Sequence, residues 1–321
     1  MKKLILASAI AAIAANSATA ATIYEDKGLT FKMKGDWQIQ LRDDYKKAND
    51  MDVEFDDLEI KNTVIYDLGN DLKAFGQVDF GFKDAADKDG QDNSELEEAY
   101  VGMQYNNFKV KVGKQDLASD EFGIEGAYET TLEEDMFDAI STSGDDVIRV
   151  EGDFDSVSVV FSHDLEAEGN DSENGEATDL FVGANFDALS IAAAYQTYQD
   201  SPSANDINTW GLSAEFDAGF ATFGADYSSS EDDATDFETN VTNLVASFKA
   251  SKTTKVALGY VNLNSDDNTE DADTWYANVS YKFPSQKNVK LFAEVSSTDF
   301  DDAAKDATVE TDILAGMQIK F

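Results

Sequence analysis

The chain has 321 residues, with 24 basic against 65 acidic side chains, a formal charge of −41, two Pro and no Cys. Such an anionic excess excludes a nucleic-acid binder, whose affinity rests on cations meeting phosphates; the lack of Cys excludes disulfides and thiolate metal ligands. Disorder, the other habit of acidic chains, is excluded by 42% hydrophobic and 11% aromatic residues set in alternating runs.

Residues 1–20 read as a secretory signal. Lys2 and Lys3 form the charged start, residues 4–15 the apolar core and Ala18-Thr19-Ala20 the small-residue cleavage pattern. The apolar run is shorter than the roughly 20 residues a spanning helix needs. An exported, cleaved chain of one domain, 21–321, is expected. No later run is long enough for a transmembrane helix. A mean hydropathy of −0.40 still fits a transmembrane barrel, because half of each strand faces a wet lumen.

After a short lead, residues 29–42 alternate most clearly. Phe31, Met33, Gly35, Trp37, Ile39 and Leu41 share one face, read as outward; Lys32, Lys34, Asp36, Gln38, Gln40 and Arg42 share the other. Similar runs follow at 54–67, 71–83, 96–106, 108–115, 146–154, 156–164, 178–187, 188–199, 207–217, 219–229, 239–250, 253–264, 272–283, 287–297 and 309–321. That makes about sixteen strands, an even number suited to an all-β, antiparallel up-and-down transmembrane barrel. In the run at 96–106, either Glu97 or Glu98 faces the lumen.

The connections sort by length. Short ones fall at 68–70, 106–107, 155, 187–188, 217–219, 251–252 and 284–286. Long acidic ones fall at 43–53, 84–95, 116–145, 165–177, 200–206, 230–238, 265–271 and 298–308. A membrane barrel places tight turns on the periplasmic side and long loops outside. Tyr105, Phe108, Phe186, Phe216, Phe283 and Phe321 lie beside the short turns, which predicts an aromatic girdle at that side. The opposite faces of the strands are small and polar, as a water-filled lumen requires. The last run places Val309, Thr311, Ile313, Ala315, Met317, Ile319 and Phe321 on one face. With an even count it closes the ring against 29–42.

The loop at 116–145 carries Phe122, Ile124, Tyr128, Leu132, Met136, Phe137 and Ile140, too much apolar surface for a solvated loop. It is expected to lie inside the barrel and narrow a lumen that sixteen strands leave wide. Here the chain resembles the general trimeric porins of Gram-negative outer membranes. The resembling residues are the mature start Ala21-Thr22-Ile23-Tyr24, the strand Ala74-Phe75-Gly76-Gln77-Val78-Asp79-Phe80, the strand Ala99-Tyr100-Val101-Gly102-Met103-Gln104-Tyr105, the loop motif Glu121-Phe122-Gly123 and the terminal Phe321.

The resemblance implies a homotrimer, a second loop reaching over the neighbouring subunit, and an inward third loop whose acidic edge faces a basic wall. Glu121 stands at the loop carboxylate, with Asp116, Asp120 and Glu125 beside it, and Arg149 matches a basic wall position. Asp36, Glu59 and Glu97 stand where the family has bases, while Lys32, Lys34, Arg42 and Lys61 place charge at other heights. A carboxylate ring favours cations, so cation selectivity is expected. The resemblance also makes Phe321 a recognition end for the outer-membrane assembly machinery.

Other constellations carry less. The segment 87–95 has oxygen ligands at alternate positions but not the full spacing of a calcium loop. It suits loose divalent bridging to lipopolysaccharide phosphates better than a specific site. Ser162 and His163, the only histidine, are adjacent on a strand and point to opposite faces, so they cannot form a nucleophile–base pair. No enzyme and no cofactor are expected. The expected function is passive diffusion of small hydrophilic solutes and ions through an outer-membrane channel. The rivals are a porin selective for a sugar or phosphate, for which lumen-side Tyr198, Tyr276 and Phe292 are scattered and bases few, and a non-conducting barrel acting as adhesin or receptor through its loops.

Overall fold

Strands with one apolar face can sit in lipid only if no backbone edge is left open. The computed structural model shows how this chain meets that demand. It describes residues 20–43, 51–83, 95–165, 175–266, 271–300 and 309–321. The expected signal segment up to Thr19, the calcium-loop-like segment up to Ser94 and parts of four further long loops lie outside the described residues.

The strands are β1 (Ala21–Asp26), β2 (Leu29–Asp43), β3 (Asp52–Gly69), β4 (Leu72–Gly81), β5 (Glu95–Tyr105) and β6 (Phe108–Asp116). Then come β7 (Ser143–Phe154), β8 (Val157–Asp164), β9 (Glu176–Phe186), β10 (Leu189–Gln199), β11 (Ile207–Asp217) and β12 (Ala221–Asp232). Last are β13 (Phe237–Lys249), β14 (Thr254–Ser265), β15 (Ala272–Phe283), β16 (Gln286–Phe300) and β17 (Val309–Lys320). From β2 onward each strand pairs antiparallel with the next, and β17 pairs back onto β2, giving a closed ring of sixteen staves.

The short lead before residue 29 is not a loop. It is β1, folded back on β2 through a turn at Lys27 and Gly28, both at positive φ. β17 pairs with Asp36–Asp43 of β2, whereas β1 pairs with Leu29–Met33. Phe321 bridges the two stretches: Gly35 N donates to Phe321 O at 2.8 Å and Phe321 N to Gly35 O at 3.0 Å. β1 and β17 thus share one side of β2. The Phe321 ring lies over Gly35, where a Cβ would overlap it, and meets Trp37 edge-on at 5.2 Å.

Face assignments follow the alternation. Trp37, Ile39 and Leu41 are exposed on the outside, while Asp36, Gln38 and Gln40 are buried within. Tyr105, Phe108, Phe186 and Phe216 are exposed beside the short turns, at the height where aromatic rings favour headgroups. A second aromatic band, not foreseen from sequence, lies toward the other end. Tyr195 pairs across strands with Trp210, and Tyr260 with Trp275, which is 63% exposed. The tight turns use Asn106, Asp155 and Asp187 at φ 46° to 52°. Asn and Asp tolerate this left-handed region better than other side chains, and such turns match strand twist.

The seam between the chain ends yields a prediction. Gly35→Leu forces the Phe321 ring off β2 and removes an aromatic contact worth about 0.5–1.5 kcal/mol. The fraction of heat-resistant folded barrel in a semi-native gel is expected to fall, and an undiminished fraction would contradict the seam.

Candidate functional site

The third long loop, running from the end of β6 to the start of β7, lies inside the ring. Its first turn is a 3-10 turn, Ala118–Glu121, and its last a short helix, α1 (Met136–Ile140), capped by Asp135 through Phe137 N at 2.8 Å. The apolar residues named from the sequence go to the wall. Phe122 and Phe137 cluster with Val160 and Phe181. Ile124, Leu132 and Met136 cluster with Val241, Val245, Val261 and Tyr276. The wall makes room with small residues: a Cβ at Gly211 would overlap the Phe122 ring, and one at Gly224 would crowd Ile124.

Irregular backbone at membrane depth must find hydrogen bonds within the protein. Inward side chains of successive strands supply them. Ala118 N donates to Ser162 Oγ at 2.7 Å, and Gln196 donates to Ser141 O at 2.7 Å. Met136 N donates to Ser228 Oγ at 2.8 Å. Asn243 donates to Ile124 O at 2.8 Å and Asn278 to Gly126 O at 2.7 Å. The Glu294 carboxylate accepts from Tyr128 N and Glu129 N, both at 2.8 Å. The loop is therefore laid along the wall from β8 round to β17 and β2. The lumen-side aromatics join this seat rather than a sugar path. Tyr276 donates to Glu134 at 2.9 Å, Phe292 stacks on Tyr128 at 4.2 Å, and Tyr198 packs against the cluster of Leu117, Val147 and Ala177.

The loop carries eight carboxylates and no base between residues 117 and 142. Asp120, Glu125, Glu133 and Asp138 are its exposed acids. Desolvation inside the barrel, then repulsion from Asp116 and Glu121, pushes the Asp120 carboxyl up to about 8. Desolvation, Asp135 and Glu125 likewise push Asp138 up to about 8. Glu121 pairs instead with Arg149, whose guanidinium also donates to Asp116 O at 3.1 Å, to Leu117 O at 2.7 Å and to Glu151 at 3.0 Å. Arg149 thus holds the loop's start as much as it faces the pore.

The other wall bases are similarly engaged. Arg42 reaches Glu129 of the loop at 3.1 Å, Asp312 at 3.4 Å and Glu54 at 3.7 Å. Lys61 bridges Asp79 and Glu98, each at 2.9 Å, and Asp36 is paired with Lys320 at 2.5 Å. Two bases escaped the sequence reading: Lys109 and Lys111 flank Glu151 at 2.8 and 2.5 Å. Their signal was plain alternation in the run from Phe108.

A bulge settles which of Glu97 and Glu98 faces inward. The register passes from Asp79↔Glu98 to Phe80↔Leu96, leaving Glu97 as the extra residue. Both carboxylates point to the lumen: Glu98 to Lys61, and Glu97 against Gly81, where a Cβ would overlap it. Carboxylate oxygens of Glu59, Asp79 and Glu97 lie within 4.8 Å of one another, a group of hard oxygen ligands on the wall. Ser162 and His163 point apart, Ser162 to Asp179 at 3.3 Å and His163 to Thr178 at 2.9 Å.

Known proteins share this construction. The family model described as Gram-negative porin matches residues 7–303. The chain is 24% identical over 283 residues to porin-like protein H of Photobacterium profundum, covering 81% of this chain and 82% of that protein. It is 29% identical over 227 residues to a monosaccharide porin of Halomonas, covering 61% and 59%. The trimer form of OmpT, an outer membrane protein of Vibrio cholerae, superposes with a TM-score of 0.73 at 19% identity, over 92% of this chain and 100% of that one. With a match over nearly its whole length and a closed antiparallel ring to carry it, the chain belongs to the Gram-negative porin family and crosses the outer membrane many times.

Proposed function

We propose that the channel formed by this chain passes small hydrophilic solutes and ions by passive diffusion, with a preference for cations. One observation carries the reading: the loop laid across the lumen bears eight carboxylates and no base. Arg42 and Arg149 are engaged by two of these, Glu129 and Glu121, and Lys61 by Asp79 and Glu98 of the wall, so among the described residues the other six loop carboxylates are in no ion pair with a base. Carboxylates lining a narrow passage favour cations, and the acidic outer loops raise the cation concentration at the mouth. Asp116, Asp120, Glu121 and Glu125 form the loop side of this constriction, and Asp36, Arg42, Glu59, Lys61, Glu97 and Arg149 its wall.

A sugar-selective channel is the second reading, prompted by the Halomonas relative. An aromatic ladder facing water would favour it, whereas Tyr276 and Phe292 are each 4% exposed beneath the loop. A non-conducting receptor barrel is the third, and silence in a bilayer would favour it. The trimeric form of the Vibrio cholerae structure supports a homotrimer here. Phe321, closing the ring at the chain end, suits recognition by the assembly machinery, and the acidic outer loops suit divalent bridging to lipopolysaccharide.

Bilayer recordings test the main reading. Under a KCl gradient the reversal potential is expected to show preference for K⁺; preference for Cl⁻ would sink the reading. Carboxyls with raised pKa values are neutral below that value and charged above it. Cation preference should therefore rise between about pH 6 and about pH 9 as Asp120 and Asp138 ionise; a flat profile would contradict their place in the pore. Size exclusion has its own test. Glu294→Ala removes two charge-assisted bonds to the loop backbone, each worth about 1.5–3 kcal/mol. Proteoliposomes of the variant should admit larger sugars, and an unchanged cut-off would show that the loop is held without Glu294.

A further inference from the structure

Beneath the loop, on the short-turn side, lies a chamber of about 600 Å³. Its lining reverses the character of the protein. Seven of the chain's 24 basic side chains line it, against four carboxylates, although the whole chain carries −41. The lysines are not spread to avoid one another. Lys282 lies directly opposite Lys290 across β15 and β16, and Lys249 directly opposite Lys255 across β13 and β14. Like charges directly opposite in a sheet are destabilising.

At Lys282 and Lys290 the surroundings do little to relieve this. Among the described residues, neither Lys282 nor Lys290 forms an ion pair with a carboxylate. The Lys290 ammonium sits instead over the Tyr128 ring at 4.6 Å and the Phe292 ring at 5.2 Å. Ring faces attract a cation without neutralising it. Lys290 is thereby held at the underside of the loop, with its charge directed at the chamber. A small divalent anion between two such ammoniums would remove the repulsion and gain charge-assisted hydrogen bonds.

We propose that this chamber is a binding site for small oxyanions of the phosphate type, held first by Lys282 and Lys290 and then by Lys249 and Lys255. The pore is then bipolar along its axis: carboxylates at the loop select cations, and ammoniums beneath it hold anions entering from the short-turn side. This use of the site rests on the diffusion-channel reading.

The test titrates inorganic phosphate into oriented channels at low, fixed KCl. Phosphate on the short-turn side is expected to lower the current saturably, at a smaller concentration than on the loop side. Lys282→Gln with Lys290→Gln should raise the half-effect concentration by about tenfold or more, since both charges that face the anion are lost. Lys249→Gln with Lys255→Gln should raise it less, and decides the matter if the first variant does not form heat-resistant barrel. Absence of a saturable effect, or an equal effect in wild type and variants, overturns the site. If wild type forms no channel, it is the diffusion reading that fails. Calorimetric titration of the folded barrel with inorganic phosphate then decides on the site alone, binding supporting it and no heat overturning it.

Discussion

No backbone amide or carbonyl can be left without a partner at the depth of the membrane. Closure of the ring follows from it. β17 must pair with β2, and because β2 is longer than their overlap, the remaining stretch needs β1 to cover it. Phe321 sits where these two partial strands meet, bonded on both sides to Gly35. The glycine is there because the ring that ends the chain lies where its Cβ would be.

The same demand shapes the interior. A loop that leaves the wall at β6 and crosses the lumen carries many backbone groups with no strand to pair with. The inward faces answer with Ser162, Ser228, Asn243, Asn278 and Glu294, each meeting a loop amide or carbonyl. Small residues such as Gly211 and Gly224 let the loop's aromatic and aliphatic side chains sink between these polar contacts. Among the described residues, the barrel's buried apolar clusters all involve this loop. Packing that stiffens the barrel and packing that positions the acidic edge are therefore one set of contacts.

The ring was legible in the sequence because a lipid-facing strand repeats every second residue, and short turns sort from long loops between the strands. The inward course of the third loop was legible from its apolar content. What it rests on was not. Asn243, Asn278 and Glu294 lie more than a hundred residues from their loop partners, and nothing local distinguishes them from other polar lumen residues. Tyr276 and Phe292 looked scattered for the same reason. The bulge at Glu97 escaped because an extra residue shows only in cross-strand register. The lysine chamber escaped because its opposed pairs come from four strands, and each strand alone shows an ordinary amphipathic face.

The central claim is that the third loop lies in the path of solutes. The chain has no Cys, so a single thiol can be placed at will. Glu125 is exposed on the loop and borders the chamber beneath it. Single-channel recording of Glu125→Cys during addition of a bulky thiol reagent should show a stepwise drop in current that a reductant reverses. A current that stays unchanged after complete modification would place the loop outside the conducting path.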